Sequence, residues 1–188
     1  LWGLFRNSNI VKPGLVQSAL MAVENWLFSL KEESKLDELK NAIDAILRNS
    51  KTVATISVVA SVCMRFPKVL LNVFFQIIRV REFYYWDRTR WFNDQLKNNY
   101  FTIFDPRSFV DERKASDRLP HRNVDLEVVT FELQSTEQKT FLFEILDEHY
   151  RGLQLTFEDH DRVQWNQCLN RMDLRKQKPF KEGDKILL

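Results

Sequence analysis

Apolar residues recur at helical spacing along most of this chain. From Pro13 to Lys31 the positions Leu15, Ala19, Ala22, Val23, Trp26, Leu27 and Leu30 follow an i, i+4, i+7, i+8 rhythm, with Gln17, Glu24, Asn25 and Lys31 elsewhere. That rhythm predicts an amphipathic helix. Ser34 and Asp37 read as the capped start of a second helix, with the stripe Leu36, Leu39, Ala42, Ile43, Ile46 and Leu47. Asn49-Ser50 introduces a third helix, from about Val53 to Arg65, and Pro67 opens a fourth. Both are apolar nearly all round, so they belong at the centre. Arg81 to Leu96 predicts a fifth helix, rich in aromatics.

Residues 97–119 have no clear period. Asn98-Asn99, Asp105-Pro106 and Leu119-Pro120 punctuate a long connection with room for one short helix. Residues 121–134 support two readings. Val124, Leu126 and Val128 alternate as in a strand, while Leu126, Val129 and Leu133 fit a helix, which the flanking helices favour. Ser135 with Gln138 forms a capping box for a helix through about Tyr150, with the stripe Phe141, Leu142, Ile145 and Leu146. Gly152 sits where a left-handed cap belongs. Thr156 and Asp159 open a last helix with the stripe Trp165, Cys168, Leu169 and Met172. The basic tail from Arg175 ends in Ile186-Leu187-Leu188, which has the character of a short strand.

An internal echo refines this pattern. Asn7-Ser8-Asn9-Ile10-Val11 and Asn49-Ser50-Lys51-Thr52-Val53 lie 42 residues apart, and each precedes a helix rich in small residues. A two-helix unit of roughly 40–47 residues is the period of HEAT and armadillo repeats. The expected fold class is therefore all-α. Antiparallel helix pairs would stack as a short HEAT/armadillo-like right-handed solenoid or an irregular helical bundle. Residues 1–96 form the repeat part, 97–119 the connection and 120–188 a C-terminal helical part, packed as one continuous domain.

Composition narrows the functional classes. With 188 residues, 44% hydrophobic and 29% charged, the chain suits one folded domain rather than a disordered one. Only 4 glycines occur, and neither G-x-x-x-x-G-K-[ST] nor G-x-G-x-x-G is present, so nucleotide sites of those types are excluded. Net charge is +2, but it is unevenly spread: +3 over residues 63–94, −7 over 122–161 and +4 over 162–188. Solvated helix faces of differing sign account for that. Cys63 and Cys168 read as free, buried side chains, which points to a reducing cytoplasmic compartment. The apolar runs Val53–Met64 and Val69–Val80 fall short of the roughly 18 residues a membrane span needs. The chain opens on Leu1-Trp2 and carries no cleavage signal, which reads as a piece of a longer protein.

Candidate chemistry is sparse. His149 and His160, with Asp147, Glu148, Glu158, Asp159 and Asp161 nearby, would hold a metal only if their helices faced each other; the plainer reading is an acidic, solvated corner. Asp125, Glu127 and Glu132 have no neighbouring lysine of the kind a metal-dependent nuclease uses. No serine or cysteine sits in a nucleophile-elbow setting. Hence no catalytic, cofactor or metal residue is assigned, and no enzyme activity is expected of this segment. The strongest binding candidates are Arg79, Phe83, Trp86, Arg90 and Trp91, four of which (79, 83, 86 and 90) share a helical face. Arginine among aromatics serves a protein-recognition hot spot or a nucleic-acid surface. It also serves a core in which arginine stems cover the rings while Glu82, Asp87 and Asp94 pair with the heads.

Several stretches resemble a known family. They are Ser18–Leu27, Thr52-Val53-Ala54, Val58–Val62, Arg79–Phe83, His121-Arg122, Asp125-Leu126-Glu127 and Arg171-Met172-Asp173. Together they look like the helical region of large bacterial STAND-type NTPases. The resemblance implies a long parent protein with its NTPase core elsewhere, and helical repeats that sense a ligand, often a foreign protein in anti-phage defence. The family's P-loop is absent here, so no catalytic residue carries over. The function expected is a protein-interaction or scaffold segment, its partner a protein or another part of the parent, with no membrane. A nucleic-acid-binding helical repeat using residues 79–91 is the alternative.

Overall fold

The computed structural model describes residues 2, 14–96, 118–153, 159–178, 180–182 and 185–187. Eight α-helices lie among them: α1 (Gly14–Glu32), α2 (Leu36–Asn49), α3 (Val53–Arg65), α4 (Leu71–Ile78), α5 (Arg81–Leu96), α6 (Leu126–Leu133), α7 (Lys139–Gly152) and α8 (Asp159–Met172). Short 3-10 turns occur at Pro120–Arg122 and Leu174–Lys176. Residues 121–134 thus resolve to a turn and a helix, not a strand. The tail forms an antiparallel hairpin, β1 (Phe180–Glu182) on β2 (Lys185–Leu187), with Lys181 opposite Ile186. The first copy of the 42-residue echo, most of the 97–119 connection and Thr156 lie outside the described residues.

The chain divides into two compact units, Leu1–Leu126 and Glu127–Leu188. In the first, α3 is the hub, packed against α1, α2 and α4. Nine of its residues, from Ala54 to Met64, are buried. That is why its sequence lacks a polar face: neighbours surround it. Leu39 and Ile43 of α2 and Phe74, Phe75, Ile77 and Ile78 of α4 complete this core. The Pro120–Arg122 turn packs on α3, so residues 118–126 belong to the first unit. In the second unit Leu142, Ile145 and Leu146 of α7 and Trp165, Cys168, Leu169 and Met172 of α8 are buried, the stripes that periodicity predicts. Phe141, the remaining member of the α7 stripe, is 41% exposed.

Helix ends depart from the sequence signals in instructive ways. Ser34 does not cap α2. It sits at φ 62° just past α1, where its N–H donates to Lys31 O and the next N–H, of Lys35, donates to Leu30 O. This crossed pair is the Schellman closure, which normally recruits glycine. Ser34→Gly is therefore expected to raise stability by a few tenths to about 1 kcal/mol, because a Cβ costs energy in that conformation. A fall in the urea midpoint on this substitution would contradict that account. Thr52, not Asn49 or Ser50, caps α3, its Oγ1 accepting from Ala54 N at 3.3 Å. Pro67 lies in a turn, and α4 starts four residues later. Ahead of α7 the N-cap is Gln138 with no side-chain cap, so the Ser135–Gln138 capping box does not form; Thr136 Oγ1 instead accepts from Gln138 N in the preceding turn. Gly152 ends α7 inside the helix, and the cap residue Leu153 has φ −58°, so no left-handed glycine is used there.

Candidate functional site

The aromatic-arginine stretch does not form one exposed face. Arg79 lies at the end of α4, outside α5, which breaks the helical register that joins it to Phe83, Trp86 and Arg90 in the sequence. Phe83 is buried against Trp2, their rings 4.7 Å apart. Trp86 leans on the same pair, 5.7 Å from Phe83 and 6.0 Å from Trp2, and is partly exposed. Trp91 is half-buried and donates its Nε1–H to Asn123 O at 2.9 Å.

Arg90 is 3% exposed and donates four hydrogen bonds. Its Nε and Nη2 donate to the two carboxylate oxygens of Asp87 at 2.6 and 3.0 Å, one turn back on α5. Nη1 reaches Asp94 at 3.2 Å, and Nη2 also reaches Val124 O at 2.9 Å. Burial by itself favours the neutral guanidine, but Asp87 and then Asp94 outweigh it and hold Arg90 above its ordinary value. Asp87 also accepts from Trp2 Nε1 at 3.2 Å and from the Leu126 backbone N–H at 3.0 Å. This node ties residues 2, 87, 90, 94, 124 and 126 together. It is the arrangement in which Asp87 and Asp94 pair with the arginine head; Glu82 pairs with Arg81 instead. Four of the five N–H groups of this guanidinium are so occupied and the head is buried, which takes it away from the surface a phosphate would approach.

A second buried ionic node is absent from the sequence stripes. Glu24 is 0% exposed on the inner side of α1. Its carboxylate accepts from Arg122 Nη2 at 2.6 Å and from the Ser61 hydroxyl of α3. His121 Nε2 stands 3.7 Å away, and the His121 ring meets Phe28 edge-on at 5.0 Å. Periodicity assigns Glu24 to the polar side of α1. One signal for its burial was present: it is the only charged residue from Gly14 to Leu30.

The predicted apolar stripe of α1 is therefore split: Leu27 and Leu30 point inward, Val23 is half-buried, and Leu15, Ala19, Ala22 and Trp26 lie on the outside. Leu20, Leu27, Phe28 and Leu30 are buried with Glu24. Leu15 is 85% exposed and Trp26 50%, and Ser18, Ala19, Ala22 and Asn25 are exposed between them. A helix face that is apolar, uncharged and solvent-facing breaks the usual rule of surface helices.

The remaining candidates separate. His149 packs edge-on against Trp165 at 5.2 Å, whereas His160 is exposed and bonds Gln164 at 2.9 Å. Among the described residues no group of three or more His, Cys, Asp and Glu is placed to hold a metal. Asp125 pairs with Arg88 at 3.4 Å. Glu127 receives two bonds from Arg171 at 3.1 Å each and a third from the Cys168 thiol. Glu132 is exposed. Cys63 is fully buried, which pushes its thiol well above the ordinary range and keeps it unreactive. In the second unit Arg175 is shared by Asp173 and Asp147. Its hydrogen bond holds the Asp147 carboxyl below its usual 3.8. Arg175 also borders a depression of about 410 Å³ lined with Ser135, Thr136, Lys139 and Phe143. Among the described residues no helix is long and apolar enough to cross a membrane. No protein-family model matches the chain, and no curated protein matches it.

Proposed function

We propose that this chain is a non-catalytic interaction segment of a larger bacterial protein, a helical scaffold that offers the outer face of α1 to a protein. The observation that carries the reading is the stripe from Leu15 to Trp26, apolar and uncharged yet exposed. Large apolar anchors flanking small residues suit helix-on-helix docking. The packing of α1 on α2, α3 on α4 and α1 on α3 is the adjacency that two stacked helix pairs require, which favours a short solenoid. The resemblance to STAND-type NTPases supplies the context: a sensor region within a long cytoplasmic parent, its NTPase core elsewhere. The buried thiols of Cys63 and Cys168, neither in a disulfide, accord with that compartment.

The alternative, nucleic-acid binding through residues 79–91, is weakened by the burial of Arg90 in carboxylates. A photo-reactive side chain placed at Trp26 or at Trp86 separates the two readings. Position 26 is expected to give protein adducts that resist nuclease and change little with salt. Adducts at position 86 that nuclease removes and added salt abolishes would transfer the function to the alternative.

A further inference from the structure

We infer that the outer face of α1 binds a second copy of itself, antiparallel, about a two-fold axis. This rests on the interaction reading above and names its partner. Leu15, Ala19, Ala22 and Trp26 are spaced four, three and four residues apart, the spacing of a coiled-coil seam, and all four are exposed. The order of sizes is large, small, small, large. The two large residues and the two alanines share one midpoint, between Leu20 and Met21. Such a stripe is its own complement when reversed. Trp26 of each copy lies over Leu15 of the other, and Ala19 lies over Ala22, so the alanines bring the backbones close while each indole covers a leucine at the rim. That is the self-matching patch an isologous two-fold interface demands.

Charge points the same way. Gly14 to Leu30 contains a single charged residue, Glu24, and its carboxylate is buried on the opposite side with Arg122 and Ser61. The flanking positions Val16, Ser18, Val23 and Asn25 are neutral. Two identical faces therefore meet without repulsion, and nothing on the face selects a partner of opposite charge. The seam spans about 16 Å of helix. Four layers of side chains sit at the low end of interface sizes, so the dimer is expected to be weak and concentration-dependent.

Sedimentation equilibrium of the whole chain tests this, over roughly 5–500 µM. The apparent mass should climb from 22.5 kDa toward twice that value. Ala22→Glu, at an exposed helical site, should weaken association at least tenfold, whereas Phe92→Ala, on the exposed side of α5, should leave it unchanged. Mixed Ser18→Cys and Asn25→Cys copies should form the 18–25 disulfide in preference to either like pair, because only reversed helices bring those flanks together. A monomer at all concentrations overturns the inference, and so does a dimer indifferent to Ala22→Glu. Protein adducts from position 26 on a monomeric chain would leave the interaction reading standing and show that the partner is a different protein.

Discussion

Glu24→Ala is expected to destabilise the first unit by about 3–5 kcal/mol, because it strands the buried Arg122 guanidinium and the Ser61 hydroxyl. The carboxylate has no exposure to solvent and Arg122 has only 6%. Water cannot replace what the substitution removes. Urea unfolding is the measurement, with the midpoint falling and the slope unchanged. Glu32→Ala is the control. Its partner Arg65 is similarly close, at 2.7 Å, but Glu32 is exposed, so the loss should stay within about 1 kcal/mol. The double variant Glu24→Ala with Arg122→Met should recover part of the loss, since no uncompensated charge then remains. If Glu24→Ala proved as mild as Glu32→Ala, α1 would have to be turned the other way round, and its outer stripe would be core.

The Asp87 node should respond as strongly. Asp87→Ala removes the acceptor for both forks of Arg90, for Trp2 and for the Leu126 amide. Losing one partner of a buried pair costs about 3–5 kcal/mol, and the orphaned amide and indole add to that. Arg90→Leu alone leaves Asp87 with two neutral donors and should cost less. Together the two substitutions should cost less than the sum of the singles, a coupling that a double-mutant cycle measures directly. A loss under about 1 kcal/mol for Asp87→Ala would mean that Arg90 spends its time in solvent. It would then regain its place as a candidate binding residue beside Arg79 and Trp86.

Both predictions concern charges whose burial the linear pattern does not show. Hydrophobic rhythm marks Leu39, Ile43, Leu142, Leu169 and Met172 as interior, and all five are buried. For α5 it is mute. Arginine and aspartate at three- and four-residue spacing look the same whether they pair in water or inside the molecule. The partners that put Arg90 inside, Val124 and Trp2 through Asp87, lie far away in the chain. Cap signals were only partly legible because several hydroxyl and amide residues cluster at each junction. Backbone geometry chose Thr52 over Ser50 at α3 and left the N-cap of α7, Gln138, without a side-chain cap.

The helical character of the protein, the course of most helices and the central place of α3 were all legible in the linear pattern. Those properties follow from local periodicity and from the lack of any polar side on Val53–Arg65. Tertiary structure alone decided which side of α1 turns inward. Apolar residues occupy both sides of that helix, so periodicity alone does not say which of them turns inward. The inward side combines Leu20, Leu27, Phe28 and Leu30 with one carboxylate that must be paired, whose partners Ser61 and Arg122 stand 37 and 98 residues away in sequence. With Glu24 seated against them, Leu15, Ala19, Ala22 and Trp26 lie at the surface.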